Sequence, residues 1–250
     1  MRISDPAVIA VVVMVLLSAA VLVVLLYLGL PWLYGRFLRV RLSHQVTAAG
    51  SVALTFDDGP GLRLTPAILD LLDELNVKAT FFLLGKNVIS REHLVKTLVS
   101  KGHDIGCHGY DHLNGWQTGP RRMVKDIKRG WQALDNALDR KGGKYFYRPP
   151  SGKLNLISLL FLLWHRVPVV YWTHDLGDTS PRDHRDSGQA ADQIRSAGGA
   201  VLLMHDFDRR DPNKEKFILE SIRNVVVTAR QIGLPMVTVS QLWAITKNNG

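Results

Sequence analysis

The hydrophobic pattern of the chain begins with an apolar run at 7–30, AVIAVVVMVLLSAAVLVVLLYLGL, which carries no charge. About 20 apolar residues in helical form cross a bilayer core, so this run is long enough to span one. Ser18-Ala19-Ala20 mimics a leader cleavage site, but the apolar run continues well past it, and the segment reads as a retained membrane anchor. Pro31 and Trp32 close it, Trp being favoured at the membrane interface. Beyond residue 50 the pattern changes. Short apolar runs at 52–56, 79–84, 104–107, 145–148, 168–172, 200–204 and 235–239 predict strands. Helical stretches separate them. Thr65-Pro66 is an N-cap followed by Pro at the first helical position, and Gly119-Pro120 opens a long basic helix to about 138. Further helices are expected near 155–165, 187–196 and 215–232.

This alternation predicts an α/β fold, a distorted (β/α)7 barrel-like parallel sheet preceded by one transmembrane helix. An open doubly wound sheet is the alternative. The expected division is 1–41 for the anchor with its basic juxtamembrane segment, and 42–250 for the domain. One helical stretch breaks the amphipathic rule. LNLISLLFLLW, at 154–164, is apolar nearly all round but too short to span a bilayer. It reads either as a core helix or as a helix whose outer face dips into the membrane that holds the anchor.

Charge adds a bias toward anionic surroundings. Thirty-one basic against 22 acidic residues give +9, and from residue 42 onward 27 basic against 21 acidic still leave +6. A basic surface suits phospholipid head groups or lipid-phosphate carriers. No nucleic-acid motif accompanies it. Arg36, Arg39 and Arg41 follow the apolar run while Arg2 precedes it, a distribution that favours a cytoplasmic domain under the positive-inside rule. Cys107 is the only cysteine, which excludes an intrachain disulfide.

Chemistry in either α/β architecture gathers beyond the C-terminal ends of strands. VALTFDDGPG (52–61) ends an apolar run in two adjacent carboxylates, Asp57 and Asp58. Such a like-charged pair is tolerable when a cation neutralises one of them or when one titrates as a base. An Asp-rich turn is the plainer reading. The other strand ends favour chemistry: HGYDH with His108 and His112, RPPSG with Arg148, WTHDLGD with Asp175 and Asp178, and LLMHD with His205 and Asp206. Histidines at i and i+4 share one face of a helical turn and can share a cation. Two imidazoles and one carboxylate leave open positions on a zinc-like ion, as catalytic sites do. The second carboxylate is then a base, and a third histidine is free to act as an acid.

TFDDGP, HGYDH, RPPSG and LLMHD, in this order, resemble the polysaccharide deacetylase family (carbohydrate esterase family 4, NodB-type domains) over about residues 50–242. The resemblance implies a distorted barrel with a divalent metal, zinc most often and cobalt or similar as substitutes, that removes acetyl groups from N-acetylated sugars. Carried over by motif, Asp58, His108 and His112 hold the metal, and Asp57 is the general base positioned by Arg148. His205 is the general acid, oriented by Asp175, and the Ser151 backbone N–H helps to stabilise the oxyanion. Three departures stand out. Gly109 replaces the usual Ser or Thr, Ser151 an aromatic, and Thr179 a Trp, so a softer metal loop and an opened acetyl pocket are expected. The implied partners are an N-acetylated glycan, polymeric or lipid-linked, and the membrane through the N-terminal helix. Hydrolysis of another non-peptide C–N bond, or a non-catalytic sugar-binding role, are the alternative functions.

Overall fold

The computed structural model describes residues 6–179 and 186–248. It opens on one continuous helix: α1 (Pro6–Val24), a wider π-turn at Leu25–Gly29, and α2 (Leu30–Ala49). No residue of α1 is buried, and the helix is long and apolar enough to cross a membrane. α2 differs from α1 because one of its faces meets the domain. Pro31, Gly35 and Val46 are buried, and Leu38 and Leu42 pack on the same side. That spacing is a helical stripe. Residue 41, the boundary expected between anchor and domain, therefore lies inside a helix whose inner face is part of the core. A left-handed Gly50 (φ 51) ends α2 and turns the chain into the sheet.

Among the described residues six parallel strands follow: β1 (Val52–Asp57), β2 (Thr80–Leu83), β3 (Asp104–Cys107), β4 (Phe146–Tyr147), β5 (His174–Asp175) and β6 (Ala200–His205). Their order is β4-β3-β2-β1-β6-β5. Among the described residues eight helices connect and flank them: α3 (Leu64–Glu74), α4 (Gly85–Ser90), α5 (Glu92–Ser100), α6 (Pro120–Ala137), α7 (Leu156–Trp164), α8 (Gln189–Ala197), α9 (Pro212–Gln231) and α10 (Val239–Asn248). β1 is buried along its whole length, as its unbroken apolar run requires in a parallel sheet. Phe56 of β1 stacks on Phe81 of β2 with ring centroids 4.9 Å apart, in the middle of the main core.

Two expected strands reduce to single bridges, Val169 with Tyr147 and Met236 with Val52. The reason is a change of neighbour within one short run. Pro168 accepts from Tyr147 N–H at 3.0 Å, and Val170 N–H donates back to the Tyr147 carbonyl at 2.9 Å. Three residues past Val170 the same run has crossed to β6: Thr173 N–H reaches Val201 O at 2.9 Å and Leu176 N–H reaches Leu203 O at 3.0 Å. The run thus carries the sheet from its β4 edge round to its β6 edge. That closure is the distorted barrel, built on six strands instead of seven.

The topology decides where the polar strand ends meet. β1 lies between β2 and β6, and their register sets Asp57 opposite His205. The loops after β1 and β6 are also tied to each other. Asp208 accepts from the N–H groups of Leu62, Arg63 and Leu64 at 2.8, 2.8 and 3.0 Å, so it caps α3 from across the molecule. Thr65, expected as that cap, lies one residue inside the helix. Its hydroxyl accepts from Gly61 N–H at 2.7 Å and donates to Asp206 Oδ2 at 2.6 Å.

Candidate active site

Asp58, His108 and His112 bring one carboxylate oxygen and two ring nitrogens within 4.8 Å of one another. Asp58 Oδ1 is 3.5 Å from His108 Nε2 and 3.4 Å from His112 Nε2. Two of the three residues have left-handed backbones, Asp58 at φ 73 and His112 at φ 61, conformations that cost free energy outside glycine. The histidines converge without the expected helical turn. HGYDH is an irregular loop after β3, and its imidazoles approach to 5.3 Å between centroids through the positive φ of Gly109 and His112.

The donor set fits a divalent cation on two observations. Asp58 Oδ1 is buried and has no hydrogen-bond partner, a costly state for a carboxylate oxygen unless a cation faces it. His108 Nδ1 lies 2.8 Å from the Arg148 carbonyl, which can only accept, so the proton sits on Nδ1 and Nε2 turns its lone pair to the cluster. Burial pushes the His108 pKa down to about 3, which keeps the ring neutral. A neutral imidazole with a fixed tautomer is the form that ligates a metal.

Beside this cluster stands a buried ion pair. Arg148 is 0% exposed and Asp57 2%. The guanidinium NH1 donates to Asp57 Oδ1 at 2.8 Å and to Thr55 Oγ1 at 2.7 Å, while NH2 donates to the Tyr171 carbonyl at 3.0 Å. The central carbon of the guanidinium lies over the Phe82 ring, 4.0 Å from the ring centroid. Asp57 Oδ2 is left on the cluster side, 3.7 Å from His108 Nε2. Burial raises the Asp57 pKa, and the Arg148 charge opposes that shift without cancelling it.

The structure corrects the partner of His205. Asp178, not Asp175, accepts at the ring: Asp178 Oδ1 is 2.9 Å from His205 Nδ1, and Oδ2 accepts from the His205 backbone N–H at 3.1 Å. Asp175 belongs to β5, on its exposed side, and its carboxylate is turned back to accept from Gly177 N–H at 2.7 Å. Three residues further on, past the end of β5, Asp178 is buried beneath the histidine. Arg209 completes the group, donating to Asp178 Oδ2 at 2.7 Å. Burial disfavours the charged ring of His205, but the Asp178 hydrogen bond and the Asp178, Asp57 and Asp58 charges outweigh it, pushing the pKa up to about 9.

Sequence reasoning also missed Asp126. This acid lies on the buried face of α6 between Met123 and Ile127, and accepts from the N–H groups of Tyr110 and Asp111 at 2.9 Å each. It therefore holds the loop that carries both histidines. A Cβ at Gly109 (φ 81) would run into the Asp126 carboxylate. Gly109 is thus part of a different way of bracing the loop, in which a buried carboxylate takes the place of a loop hydroxyl. An acid on the i, i+3, i+4 apolar stripe of a basic helix was the available signal. Gly59 has a similar reason: the Asp206 carboxylate occupies the space of its missing side chain. Burial pushes Asp206 up to about 7. Ser151 (φ 53) is exposed in the turn after Arg148, and Thr179 is exposed beyond Asp178.

Residues 44–161 match the polysaccharide deacetylase family. The peptidoglycan-N-acetylglucosamine deacetylase PgdA of Listeria monocytogenes is 32% identical over 197 residues, which cover 77% of this chain and 38% of that protein. The chain therefore spans about two-fifths of the length of this longer relative. A chitooligosaccharide deacetylase of Sinorhizobium fredii is 31% identical over 164 residues, covering 64% of this chain and 74% of the relative. Among solved structures, the Bc1960 peptidoglycan N-acetylglucosamine deacetylase superposes with a TM-score of 0.66 at 31% identity, over 77% of this chain and 87% of that one.

Proposed function

The chain belongs to the polysaccharide deacetylase family, and from that premise we propose that it is a membrane-anchored hydrolase that removes the N-acetyl group from an N-acetylated glycan, polymeric or lipid-linked. The observation that carries the reading is the meeting of three devices at the ends of β1, β3 and β6: the Asp58, His108 and His112 cluster, the Arg148-held Asp57, and the Asp178-held His205. The relatives named for deacetylation of peptidoglycan and of chitooligosaccharides support the substrate class.

A divalent cation held by Asp58, His108 and His112, with zinc the best match to two imidazoles and a carboxylate, supplies Lewis-acid polarisation of the acetamide and eases deprotonation of water. Asp57 has the two properties of a base for that water. Its Oδ1 is fixed by Arg148 while Oδ2 faces the cluster, and burial raises its basicity above that of an exposed Asp. The hydroxyl so generated adds to the acetamide carbon. The C–N bond breaks as His205, protonated below about pH 9, transfers its proton to the leaving nitrogen. Acetate and a free amine result. Asp178 keeps that proton on His205 until it is needed, and the exposed Ser151 turn leaves one wall of the pocket open to a bulky glycan. The apolar helix from Pro6 tethers this domain to a bilayer.

Acetate release by the purified full chain in mild detergent tests the reading. N-acetylglucosamine oligomers and a lipid-linked N-acetylhexosamine are each offered with zinc or cobalt, beside Asp57→Asn. Metal-dependent release that disappears in the variant is expected. Absence of release from both substrates by metal-loaded protein would overturn it.

A further inference from the structure

α7 has an outer face that suits lipid. Ile157, Leu160, Leu163 and Trp164 are 43%, 51%, 44% and 86% exposed. On a helical wheel they share one side, while Ser158, Leu159 and Leu162 fill the opposite side against the core. A surface helix normally places polar residues outward, and an exposed apolar face of this kind marks a contact surface. The helix is built to be stable without that contact: Asn155 and Ser158 form a reciprocal cap, Ser158 N–H to Asn155 Oδ1 at 2.9 Å and Asn155 N–H to Ser158 Oγ at 3.2 Å. The apolar outer face is therefore not needed to fold it.

We propose that this face seats in the headgroup–acyl boundary of the same bilayer that the N-terminal helix crosses. This inference rests on the anchor reading above. Three observations identify lipid as the occupant. First, α7 packs against Leu25–Gly29, the turn that follows the nineteen residues of α1, all apolar but Ser18. Nineteen helical residues rise roughly 28 Å, close to the roughly 30 Å of a bilayer core. The spanning helix thus leaves the core at the level of α7. Secondly, Trp164, the most exposed of the four, is of the residue type favoured at that depth. Thirdly, α6 packs beside α7 and exposes Arg121, Arg122, Lys125 and Lys128, a basic flank for anionic head groups.

Four apolar side chains alone bind a bilayer weakly, but the tether makes their insertion an intramolecular event. The seat also reaches the catalytic rim. Asn155, the cap of α7, donates to the carbonyls of Gly115 and Thr118 at 3.1 and 3.3 Å, in the loop that continues from His112. α7 is about 14 Å long, so seating it holds the loop of one metal-cluster histidine close to the head groups. Glycan at the membrane surface, rather than free in solution, is the substrate this arrangement serves.

The test uses three variants of the full chain with one added cysteine each, Leu160→Cys, Leu17→Cys and Lys216→Cys, labelled there with the fluorophore NBD. Cys107 is buried and stays unlabelled. The proteins are reconstituted in phosphatidylcholine–phosphatidylglycerol vesicles with or without brominated acyl chains. The proposal expects NBD at 160 to be blue-shifted and to lose emission to brominated lipid, as a probe on a helix face buried roughly 5–10 Å into the headgroup–acyl boundary should, while NBD at 216 on α9 is unaffected. NBD at 160 as unquenched as at 216, with NBD at 17 quenched, would overturn the seat and leave the anchor standing. An unquenched position 17 would remove the anchor and the seat together.

Discussion

The Arg148 guanidinium donates to Asp57 Oδ1 at 2.8 Å in a place where neither side chain meets solvent. Removing one member of such a pair leaves a buried charge without compensation, which costs about 3–5 kcal/mol. Arg148→Met should therefore destabilise the domain by about that amount and abolish activity through misfolding as much as through chemistry. Asp57→Asn keeps an acceptor for the guanidinium but removes both the basicity and the countercharge of Arg148. It should lose about 10²–10⁴ in kcat, hold its zinc affinity, and lose stability too, by less than Arg148→Met because the hydrogen bond survives. Parallel urea melts, zinc titrations and acetate assays separate the two variants; an active Asp57→Asn protein would remove Asp57 from the base role.

His205 has its pKa pushed up to about 9, its burial being outweighed by the Asp178 hydrogen bond and neighbouring carboxylates. Because the folded value is raised above the ordinary 6.5, the stabilisation from its proton is complete below about pH 6.5. It is lost as the pH climbs through about 9. Turnover that uses this proton should fall over the same upper range. In Asp178→Asn the alkaline limb of kcat against pH should move down by a unit or more, whereas Asp175→Asn should leave it in place. Equal shifts in both variants would contradict the pairing of His205 with Asp178.

Asp126 and Gly109 make opposite predictions from those that a missing loop hydroxyl suggests. Restoring the hydroxyl as Gly109→Ser forces a Cβ into the Asp126 carboxylate at φ 81, so zinc affinity should drop instead of rising. Asp126→Ala removes the acceptor for Tyr110 and Asp111 N–H and should weaken zinc binding by about 10- to 100-fold, the range for partners that orient metal ligands. Calorimetric titration of metal-stripped protein reads both effects without reference to turnover. Tighter zinc binding by Gly109→Ser would show that Asp126 does not replace the hydroxyl.

The motifs were legible because their chemistry is local in sequence. TFDDGP announces a strand that ends in carboxylates, and two histidines four apart announce a shared cation, whether helix or loop brings them together. Asp178 was harder. Whether Asp175 or Asp178 meets His205 depends on where β5 ends, and that end is fixed by the crossing of 168–176 from β4 to β6, a long-range event that no local pattern encodes. Arg209 was invisible for the same reason, since it acts on a loop distant in sequence, and Asp126 showed only as an acid on the apolar stripe of a basic helix. The strand at 168–172 failed as a regular strand because its apolar run serves two neighbours in turn. The boundary at 41 followed the end of the arginine cluster, whereas Gly35 and Leu38 already face the core.

α2 is a structural element of the domain as well as the continuation of the apolar helix. A Cβ at Gly35 would stand 2.7 Å from the Tyr171 hydroxyl, and Arg39 one turn later stacks 4.2 Å above the Tyr171 ring. Tyr171 in turn accepts from Arg148 through its carbonyl, so α2 braces the strand-end segment that holds the Arg148–Asp57 pair. Gly35→Ala should push α2 off this segment and destabilise the full chain by about 1–3 kcal/mol, the usual cost of overpacking. Arg39→Ala should cost about 0.5–2 kcal/mol through the lost cation–π contact. A fragment starting at residue 42 loses both contacts and should be less stable, and less active, than one starting at residue 30. Thermal melts of the full-length variants in detergent, set beside melts and acetate assays of the two fragments, decide whether α2 is a brace. Equal stability and activity of the fragments would make it a mere tether.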